Sequence, residues 1–433
     1  MLKKIIFKLK SKEFSVCIIG LGYVGLPLIS SFIDAKIKVY GIDIDNKKIQ
    51  SLRNGKSYIS STTSKTLKYF EKNKENLSSN FSLISKADVI IVCLPTPLKN
   101  NSKEPDMSYV FKCANELKKT IRFNQIIILE STVYPGATKE FTKKLLTNKF
   151  KIGENIFIGY SPERVNPGDK KFNYQNTPKI ISGYTSNCLE LIRIVYNFFV
   201  KHTVAVEKIE EAELSKLLEN LYRAVNIGLI NEMKIICEKL NINIFNTIDA
   251  AATKNFGFQK FMPGPGLGGH CIPIDPFYLS WLSKKKGYDP KFIKLAGVIN
   301  SKIPKWTINQ VTKTIKKKNI KVLLLGISYK KNVDDDRESP SYEFIKILKK
   351  KKIKFDYHDP YFPKIRKGRN IKEIKYSINL NKNTLIKYDA TILLTDHSFF
   401  DYKLIAKYSK LVFDTRGKYR KISLNSYKNI IFC

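Results

Sequence analysis

Cys271 lies in the most informative stretch of the sequence, residues 263–276, which is rich in glycine and proline. Such a stretch interrupts helices and strands, because glycine loosens the backbone and proline lacks an amide hydrogen. It predicts a loop of fixed shape, in which glycines let the backbone approach a ligand closely. Asp275 follows the cysteine by four residues. A thiol held in this way could act as a nucleophile toward a bulky substrate, although a lone cysteine is more often an inert core residue.

A glycine motif near the start of the chain predicts a dinucleotide site. Gly20, Gly22 and Gly25 form a GxGxxG pattern directly after an apolar run and at the start of a helical one. The first glycine makes the turn, the second lets a pyrophosphate approach, and the third lets the helix pack on the strand. Asp43 ends the second apolar run, where an acid accepts the ribose 2′-hydroxyl and repels a 2′-phosphate. The pattern favours NAD over NADP; the alternative is a glycine turn followed by a chance acid.

The elements that must position these residues alternate along the first half of the chain. Apolar runs separated by helical or mixed segments predict a parallel, doubly wound sheet. Between about residues 208 and 240 the pattern is that of one long helix, and a second alternating region starts at residue 321. We therefore predict an α/β fold with two Rossmann-like domains joined by a central helical domain. The predicted strands are residues 14–20, 38–43, 88–94, 125–130, 156–160, 179–183, 321–326, 354–357, 390–395 and 411–414.

Three domains follow from this reading. Residues 1–207 form the NAD-binding Rossmann domain, residues 208–305 the central helical domain, and residues 306–433 the second α/β domain. The cysteine loop then falls between the central helices and the second sheet, near a domain cleft. Residues 1–13 are a basic extension whose lysines interrupt any apolar segment, so we expect a frayed end rather than a signal peptide.

Composition argues against several classes of protein. Hydrophobic residues make up 43% of the 433 residues, enough for packed cores. No apolar run reaches the ~20 residues that span a bilayer, so we expect a cytoplasmic protein with no membrane partner. The seven cysteines lack paired spacing and there are only four histidines, which argues against disulfides and against a metal site.

The formal net charge of +39 suggests a nucleic-acid partner at first sight. Only ten of the 77 basic residues are arginine, however, and the lysines are spread along the whole chain. Proteins that bind phosphates and bases favour arginine for its bidentate geometry. We therefore expect no nucleic-acid partner, while the positive field would help to gather an anionic nucleotide substrate.

The cysteine loop resembles the nucleophile loop of the UDP-glucose/GDP-mannose dehydrogenase family, the nucleotide-sugar 6-dehydrogenases. The resemblance extends from about residue 14 to residue 417, with five separate motifs in the family's order. It implies oxidation of the six-position primary alcohol of a nucleotide-bound hexose to a carboxylate, with two NAD. It also implies a UDP-sugar-binding role for the second α/β domain and a homodimer that pairs through the long helix.

The resemblance implies a role for each catalytic residue. Cys271 would trap the aldehyde as a thiohemiacetal, and the thioester that follows would be hydrolysed. Lys216 and Asn220, four residues apart on one helix face, would stabilise oxyanions. Lys216 could also act as a base with Asp275 and a bound water. Glu163 would position or activate the hydrolytic water.

Binding residues are also implied by the resemblance. Taken alone, Lys216, Lys330 and Arg416 would be surface cations, and Arg337 could belong to a salt-bridge cluster with the three acids before it. Thr132 would support the catalytic water network as well as contact the cofactor. The implied cofactor contacts are Gly20, Gly22, Tyr23, Val24, Gly25, Asp43, Lys48, Thr96, Thr132 and Arg337. The implied substrate contacts are Glu163, Lys216, Asn220, Lys254, Phe261, Gly268, Lys330 and Arg416.

The loop and residues 161–169 resemble the branch that acts on UDP-N-acetylhexosamines. We expect UDP-N-acetylglucosamine or UDP-N-acetylgalactosamine as substrate, in the synthesis of a surface polysaccharide such as capsule or O-antigen. UDP-N-acetylmannosamine and UDP-glucose are the alternatives within the family. Outside it, a hydroxyacid dehydrogenase would need no thiol, and a basic nucleic-acid-binding protein would ignore UDP-sugars.

Overall fold

The computed structural model describes residues 1–59, 62–99, 102, 104–164, 174–269, 275–365, 374–421 and 427–433. The chain divides into two compact units, each with one large sheet. The first unit comprises Met1–Glu219 and Phe277–Lys286, and the second comprises Asn220–Pro276 and Gly287–Cys433. Helix α8 (Ile209–Lys239) contributes residues to both. The predicted fold, two Rossmann-like domains with a long central helix, is confirmed.

The sheet of the first unit has the order β3-β2-β1-β4-β5-β6-β7-β8. All neighbours are parallel except β6 and β7, which are antiparallel. The prediction of a parallel sheet is therefore wrong for the pair of β6 and β7. A parallel pair needs a crossover connection, usually a helix, and the described residues between these two strands contain none. The strands are β1 (Ser15–Ile19), β2 (Lys38–Ile42), β3 (Leu77–Ser78), β4 (Val89–Val92), β5 (Ile126–Leu129), β6 (Phe157–Tyr160), β7 (Lys179–Gly183) and β8 (Thr203–Ala205).

The central strands of this sheet are buried on both faces, which explains why they read as continuous apolar runs rather than alternating ones. The helices are α1 (Leu2–Lys10), α2 (Gly25–Asp34), α3 (Asn46–Arg53), α4 (Ser64–Lys72), α5 (Ser108–Thr120), α6 (Ala137–Leu145) and α7 (Ser186–Tyr196), with 3-10 turns at Lys74–Asn76 and Phe81–Lys86.

The prediction of a frayed N-terminal extension was wrong, because residues 2–10 form helix α1. Leu2, Ile5, Ile6 and Leu9 follow the i, i+3, i+4, i+7 spacing of one helix face, and this face packs on the core of the first unit. Leu9 is 1% exposed. This apolar spacing is present in the sequence, but the lysines between these residues led to the prediction of a frayed end.

The sheet of the second unit has the order β10-β9-β13-β14-β15, and every pair is parallel. A separate antiparallel ladder joins β11 (Lys364–Ile365) and β12 (Lys375–Tyr376). The main strands are β9 (Lys321–Leu325), β10 (Lys354–His358), β13 (Ala390–Leu393), β14 (Val412–Asp414) and β15 (Ile430–Phe432). The helices are α9 (Ile244–Ala251), α10 (Asp275–Lys285), α11 (Lys291–Ile315), α12 (Ser341–Lys350), α13 (Lys382–Leu385) and α14 (Tyr402–Tyr408), with a 3-10 turn at Tyr419–Lys421; most of α10 belongs to the first unit.

The two sheets repeat one arrangement at the end of their first strand. Gly20 follows β1 and Gly326 follows β9, and both have positive φ, 97° and 92°. Each donates its amide to the last carbonyl of the neighbouring strand, Ile42 O at 2.8 Å and His358 O at 2.9 Å. Each turn therefore opens at the carboxyl edge of its sheet, where parallel α/β sheets bind ligands. Across the part of the chain that the structure covers, no helix is both long and apolar enough to span a bilayer.

Candidate functional site

The glycine turn of the first unit leaves space for a phosphate. A Cβ at Gly20 would collide with the carbonyl oxygen of Cys93, and one at Gly25 would collide with the carbonyl oxygen of Gly20. A Cβ at Gly22, in contrast, would meet nothing within 4 Å. The first and third glycines are therefore required by packing, and the second borders open space. No described side chain caps the start of α2, so its amides can bind an anion.

Asp43 is fixed beside this turn. The carboxylate is 7% exposed and accepts hydrogen bonds from the amides of Leu21 and Asp45, each at 3.0 Å. Lys48 forms an ion pair with it at 2.8 Å. The predicted cofactor residues Asp43 and Lys48 are thus in contact with each other at the end of β2. The open turn, the helix start and the fixed acid together fit the pyrophosphate and ribose of NAD.

The ends of β4 and β5 are linked by hydrogen bonds. The hydroxyl of Ser131 accepts the amide of Leu94 at 2.9 Å, and the hydroxyl of Thr96 donates to the carbonyl of Thr132 at 2.7 Å. Tyr278 donates its hydroxyl to the carbonyl of Thr96. The Thr96 side chain is 4% exposed. It therefore holds two strand ends in register, next to the predicted cofactor contact Thr132.

The buried ion pair between Lys179 and Glu130, the residue that directly follows β5, was not predicted from the sequence. Lys179 Nζ is 2.5 Å from Glu130 Oε1, and the two side chains are 4% and 0% exposed. The hydroxyl of Tyr196 donates to the other carboxylate oxygen at 2.8 Å. Lys179 also donates to the carbonyl of Pro162 at 3.3 Å. A lysine opening an otherwise apolar strand was the only signal in the sequence.

Glu163 lies on a segment that is held at both sides. Ser161 donates its hydroxyl to the carbonyl of Ile180 at 2.7 Å. Arg164 forms an ion pair with Glu219 of helix α8 at 2.7 Å. Glu163 itself is half-buried. The predicted water-positioning carboxylate therefore belongs to a chain segment whose neighbours on each side are fixed.

Glu213 on helix α8 is a second buried carboxylate that sequence reasoning left without a role. It is 0% exposed and accepts the amides of Gly136 and Thr138, at 2.6 and 2.8 Å, and the Thr138 hydroxyl at 2.6 Å. These bonds cap the start of α6. Burial raises the pKa of Glu213 to about 7, although its three donors favour the charged form.

Helix α8 carries the predicted catalytic residues Lys216 and Asn220, which are 8% and 4% exposed. Within the second unit, Asn220 Nδ2 donates to Asp275 Oδ2 at 2.5 Å. Asp275 is the first residue of α10 and is 3% exposed. The structure thus brings together two of the predicted catalytic residues from distant positions in the sequence. Cys271, the predicted nucleophile, lies outside the described residues.

The loop before the cysteine is packed within the second unit so closely that it requires glycine. A Cβ at Gly268 would lie 2.7 Å from Pro340 Cδ, and one at Gly269, whose φ is +92°, would lie 2.8 Å from Tyr329 Cε2. The amide of Gly264 donates to Asn231 Oδ1 of α8 at 3.1 Å. Gly268, a predicted substrate contact, is therefore also a packing position against the 329–340 segment.

That segment contains two predicted binding residues. Arg337 forms a bidentate ion pair with Asp335, at 2.9 and 2.7 Å, which was the alternative considered from the sequence. Lys330, in the same segment, is half-buried. Across the described residues, no group of three or more His, Cys, Asp or Glu side chains could hold a metal ion.

The remaining predicted substrate residues differ in exposure. Phe261 is partly buried and packs edge-on against Tyr222, with ring centroids 5.7 Å apart. Lys254 is exposed and lies over the ring of Phe256 at 4.6 Å. Arg416 is partly buried and donates Nε to the carbonyl of Leu394 at 2.7 Å.

Comparison with known proteins covers almost the whole chain. Three models of the UDP-glucose/GDP-mannose dehydrogenase family match it in order: the NAD binding domain at residues 14–200, the central domain at 210–302 and the UDP binding domain at 323–421. Similar sequences include a UDP-N-acetyl-D-glucosamine 6-dehydrogenase of Salmonella typhi, 35% identical over 399 residues, which are 90% of this chain and 91% of the relative.

A UDP-N-acetyl-D-mannosamine dehydrogenase of Methanococcus vannielii is 34% identical over 397 residues, 90% of this chain and 88% of the relative. Among solved structures, the UDP-N-acetyl-mannosamine dehydrogenase Cap5O from S. aureus is similar, with a TM-score of 0.80 and 30% identity. That match covers 96% of this chain and 97% of the other.

Proposed function

Because the chain belongs to the UDP-glucose/GDP-mannose dehydrogenase family and is an NAD-dependent nucleotide-sugar 6-dehydrogenase, we propose that it oxidises a UDP-N-acetylhexosamine to the uronate. The expected sugars are N-acetylglucosamine and N-acetylgalactosamine, for synthesis of a surface polysaccharide. The buried Asn220–Asp275 contact, at the end of the cysteine loop, is the observation that carries this proposal. It supplies an ordered amide and carboxylate, and Asp275 follows the predicted nucleophile by four residues in the sequence.

The chemistry needs a thiol because two oxidations take place at one carbon. The alcohol first loses a hydride and a proton, and the aldehyde is attacked by the Cys271 thiolate to give a thiohemiacetal. Loss of a second hydride and proton gives a thioester, which water hydrolyses to the carboxylate and the free thiol. NAD held at the glycine turn and Asp43 would supply the hydride acceptor for each oxidation, so that one sugar would consume two NAD.

The chain's own residues stabilise charge and move protons in these steps. Lys216 and the amide of Asn220 donate to the oxyanions, each contributing roughly 3 kcal/mol to the barrier reduction. Asp275, held by Asn220, orients a water that takes the alcohol proton together with Lys216. Glu163, fixed between Ser161 and Arg164, places the water that attacks the thioester.

UDP-N-acetylmannosamine is the second candidate, since similar proteins carry that name as well as the N-acetylglucosamine one. UDP-N-acetylglucosamine and UDP-N-acetylmannosamine differ by the configuration at one carbon, so discrimination between them depends on the shape of the pocket around the N-acetyl group. NADH formation with UDP-N-acetylglucosamine, UDP-N-acetylgalactosamine, UDP-N-acetylmannosamine and UDP-glucose separates the candidates.

The matched variants for this assay are Cys271→Ala and Cys113→Ala, the latter removing a buried thiol from helix α5. We expect two NADH per N-acetylhexosamine from the unaltered protein and from Cys113→Ala, and no uronate from Cys271→Ala. A preference for UDP-glucose would refute the substrate class and leave the mechanism. Uronate formation with two NADH per sugar in Cys271→Ala would refute the covalent route, since only the second oxidation needs the thiol.

The proposed assembly is a homodimer that pairs through α8. Five large apolar side chains on this helix are at least 39% exposed and fall on one stripe, because their spacing is four or seven residues. A second copy of the chain would cover such a stripe symmetrically. Leu229→Asp should give a monomer by light scattering, whereas Phe399→Asp, on a different exposed aromatic, should not. The stripe residues are Leu214, Leu218, Tyr222, Leu229 and Ile236.

A further inference from the structure

Lys234 is a buried cation that the proposed mechanism does not use. It lies on α8, is 2% exposed, and donates to the carbonyl of Gly264 at 3.3 Å. Its ammonium group is 4.9 Å from the centre of the Trp306 ring. Over the described ranges, no carboxylate is within ion-pair distance of it. A long hydrogen bond and an aromatic face are weak replacements for water around a charge.

Arg416 is a second cation at the same loop residue. A Cβ on Gly264 would lie 3.3 Å from Arg416 Nη1, while the Gly264 carbonyl faces Lys234. The two cations therefore flank one glycine of the cysteine loop from different elements. The carboxylate of Asp414 accepts the backbone amides of Arg416 and Tyr419, each at 2.9 Å. Its bonds to Arg416 are thus to the backbone rather than to the guanidinium.

The groups around Lys234 include two charged side chains, Glu238 and Arg416, and two neutral ones, Trp306 and the Cys433 thiol. Glu238 lies one turn further along α8, and Trp306 on α11 is uncharged. Cys433 follows β15, and burial raises the pKa of its thiol to about 12, so the thiol is neutral. Burial, with a smaller contribution from Arg416, lowers the pKa of Lys234 to about 8. Burial lowers the pKa of Arg416, and the carboxylates of Asp396 and Asp414 oppose that shift.

We propose that Lys234 and Arg416 form a two-cation subsite for the diphosphate of the nucleotide sugar, so that substrate binding is coupled to proton uptake at Lys234. This inference rests on the proposed function. Arg416 is partly exposed and contacts the ligand directly. Lys234 is a positioning residue that acts through the Gly264 carbonyl and through its charge.

The direction of the coupling follows from electrostatics. An anion close to Lys234 stabilises the ammonium form and raises its pKa, because an opposite charge offsets the loss of water. Near pH 8 the free protein holds about half a proton at Lys234, so binding takes up as much as ~0.5 proton. Near pH 6.5 the group is already protonated, and the uptake disappears.

Titration calorimetry with UDP as the probe tests the coupling. Binding heats at pH 8 in two buffers of different ionisation enthalpy give the number of protons taken up. We expect uptake in the unaltered protein, and none in Lys234→Met together with roughly tenfold weaker binding at pH 6.5. Lys234→Arg should retain the affinity without proton uptake, since arginine does not titrate in this range.

Lys313→Met is the control, because Lys313 is exposed on the neighbouring helix α11. It should bind UDP with the same proton uptake as the unaltered protein. Equal uptake in Lys234→Met or Lys234→Arg would overturn the inference, as would UDP binding to the unaltered protein with no buffer dependence. Failure of UDP to bind the unaltered protein would instead overturn the proposed function.

Discussion

Asp43, the predicted ribose-binding acid, is fixed to the glycine turn, since it accepts the amide of Leu21 and pairs with Lys48. Asp43→Asn removes the charge from both interactions, each worth about 1.5–3 kcal/mol when charge-assisted. We expect kcat/KM for NAD to fall roughly 10- to 100-fold, with a smaller fall for NADP because the repulsion of its 2′-phosphate is also lost.

Steady-state kinetics with both cofactors measures this change. Asp34→Asn is the matched control, because Asp34 forms an ion pair with Lys65 in which both side chains are about 60% exposed. An exposed pair of this kind contributes little. An unchanged ratio of NAD to NADP efficiency in Asp43→Asn would contradict the assignment of Asp43 to the ribose.

In the Lys179–Glu130 pair, a single side chain also supports the segment of the predicted catalytic residue Glu163, because Lys179 donates to the carbonyl of Pro162. Lys179→Met leaves the buried Glu130 carboxylate without its cation, which should cost about 3–5 kcal/mol of unfolding free energy. The double variant Lys179→Met/Glu130→Leu removes both charges and should regain much of that loss. Urea unfolding monitored by circular dichroism gives the three values, and equal stability of the single and double variants would contradict the coupling.

At the scale of elements, Glu213 joins helix α8 to the start of α6. Its folded pKa of about 7 is above the unfolded value of 4.5, so the folded state binds the extra proton. This contribution to stability is fully present below pH 4.5 and is lost as the pH rises through about 7, by roughly 3 kcal/mol.

The measurement is the unfolding free energy of the unaltered protein minus that of Glu213→Gln, taken from pH 4.5 to pH 8. We expect this difference to fall with pH. Glu210→Gln is a control in which the pKa shift has the opposite sign. Burial raises the pKa of Glu210, but the hydrogen bond from Lys139 acts with other contributions to outweigh burial, and the net pKa is below its usual value. Its contribution is lost as the pH falls. A flat difference for Glu213→Gln would refute the raised pKa.

Helix α1 gives a matched pair of positions for a packing test. Leu9 is 1% exposed and Phe7 is 70% exposed on the same nine-residue helix. Leu9→Ala should lower the unfolding free energy by about 2–4 kcal/mol because it leaves a cavity in the core of the first unit. Phe7→Ala should change it by less than about 0.5 kcal/mol. Equal effects in thermal melts would mean that α1 frays after all.

The elements that could be predicted from the sequence are those with a long pattern. Strand β4 is an apolar run because both its faces are buried, and α8 carries 31 residues of helical spacing. Strands β3 and β8 were missed, since two or three residues at a sheet edge hold no period. A local sequence pattern also does not show which strands pair when they are far apart in the sequence.

The same limit applies to the site. Asp43 and the glycine turn were predicted from spacing, because the turn imposes that spacing on any sequence that binds a dinucleotide. Asn220 and Asp275 were assigned through the family resemblance. Lys179 and Lys234 were missed, since a lysine's burial depends on partners that are distant in the sequence.

At the scale of the whole molecule, the net charge of +39 creates a positive field that acts on the anionic substrate before contact. The field reaches ~30 Å at about 0.01 M salt but only ~8 Å at about 0.15 M. We expect KM for the UDP-sugar to rise several-fold across this range while kcat changes little, because salt screens the approach and leaves the packed site intact. An equal osmolality of sucrose should have no such effect. A KM independent of salt would mean that the lysines spread over the surface act on solubility alone, and that substrate capture depends only on the cations of the site.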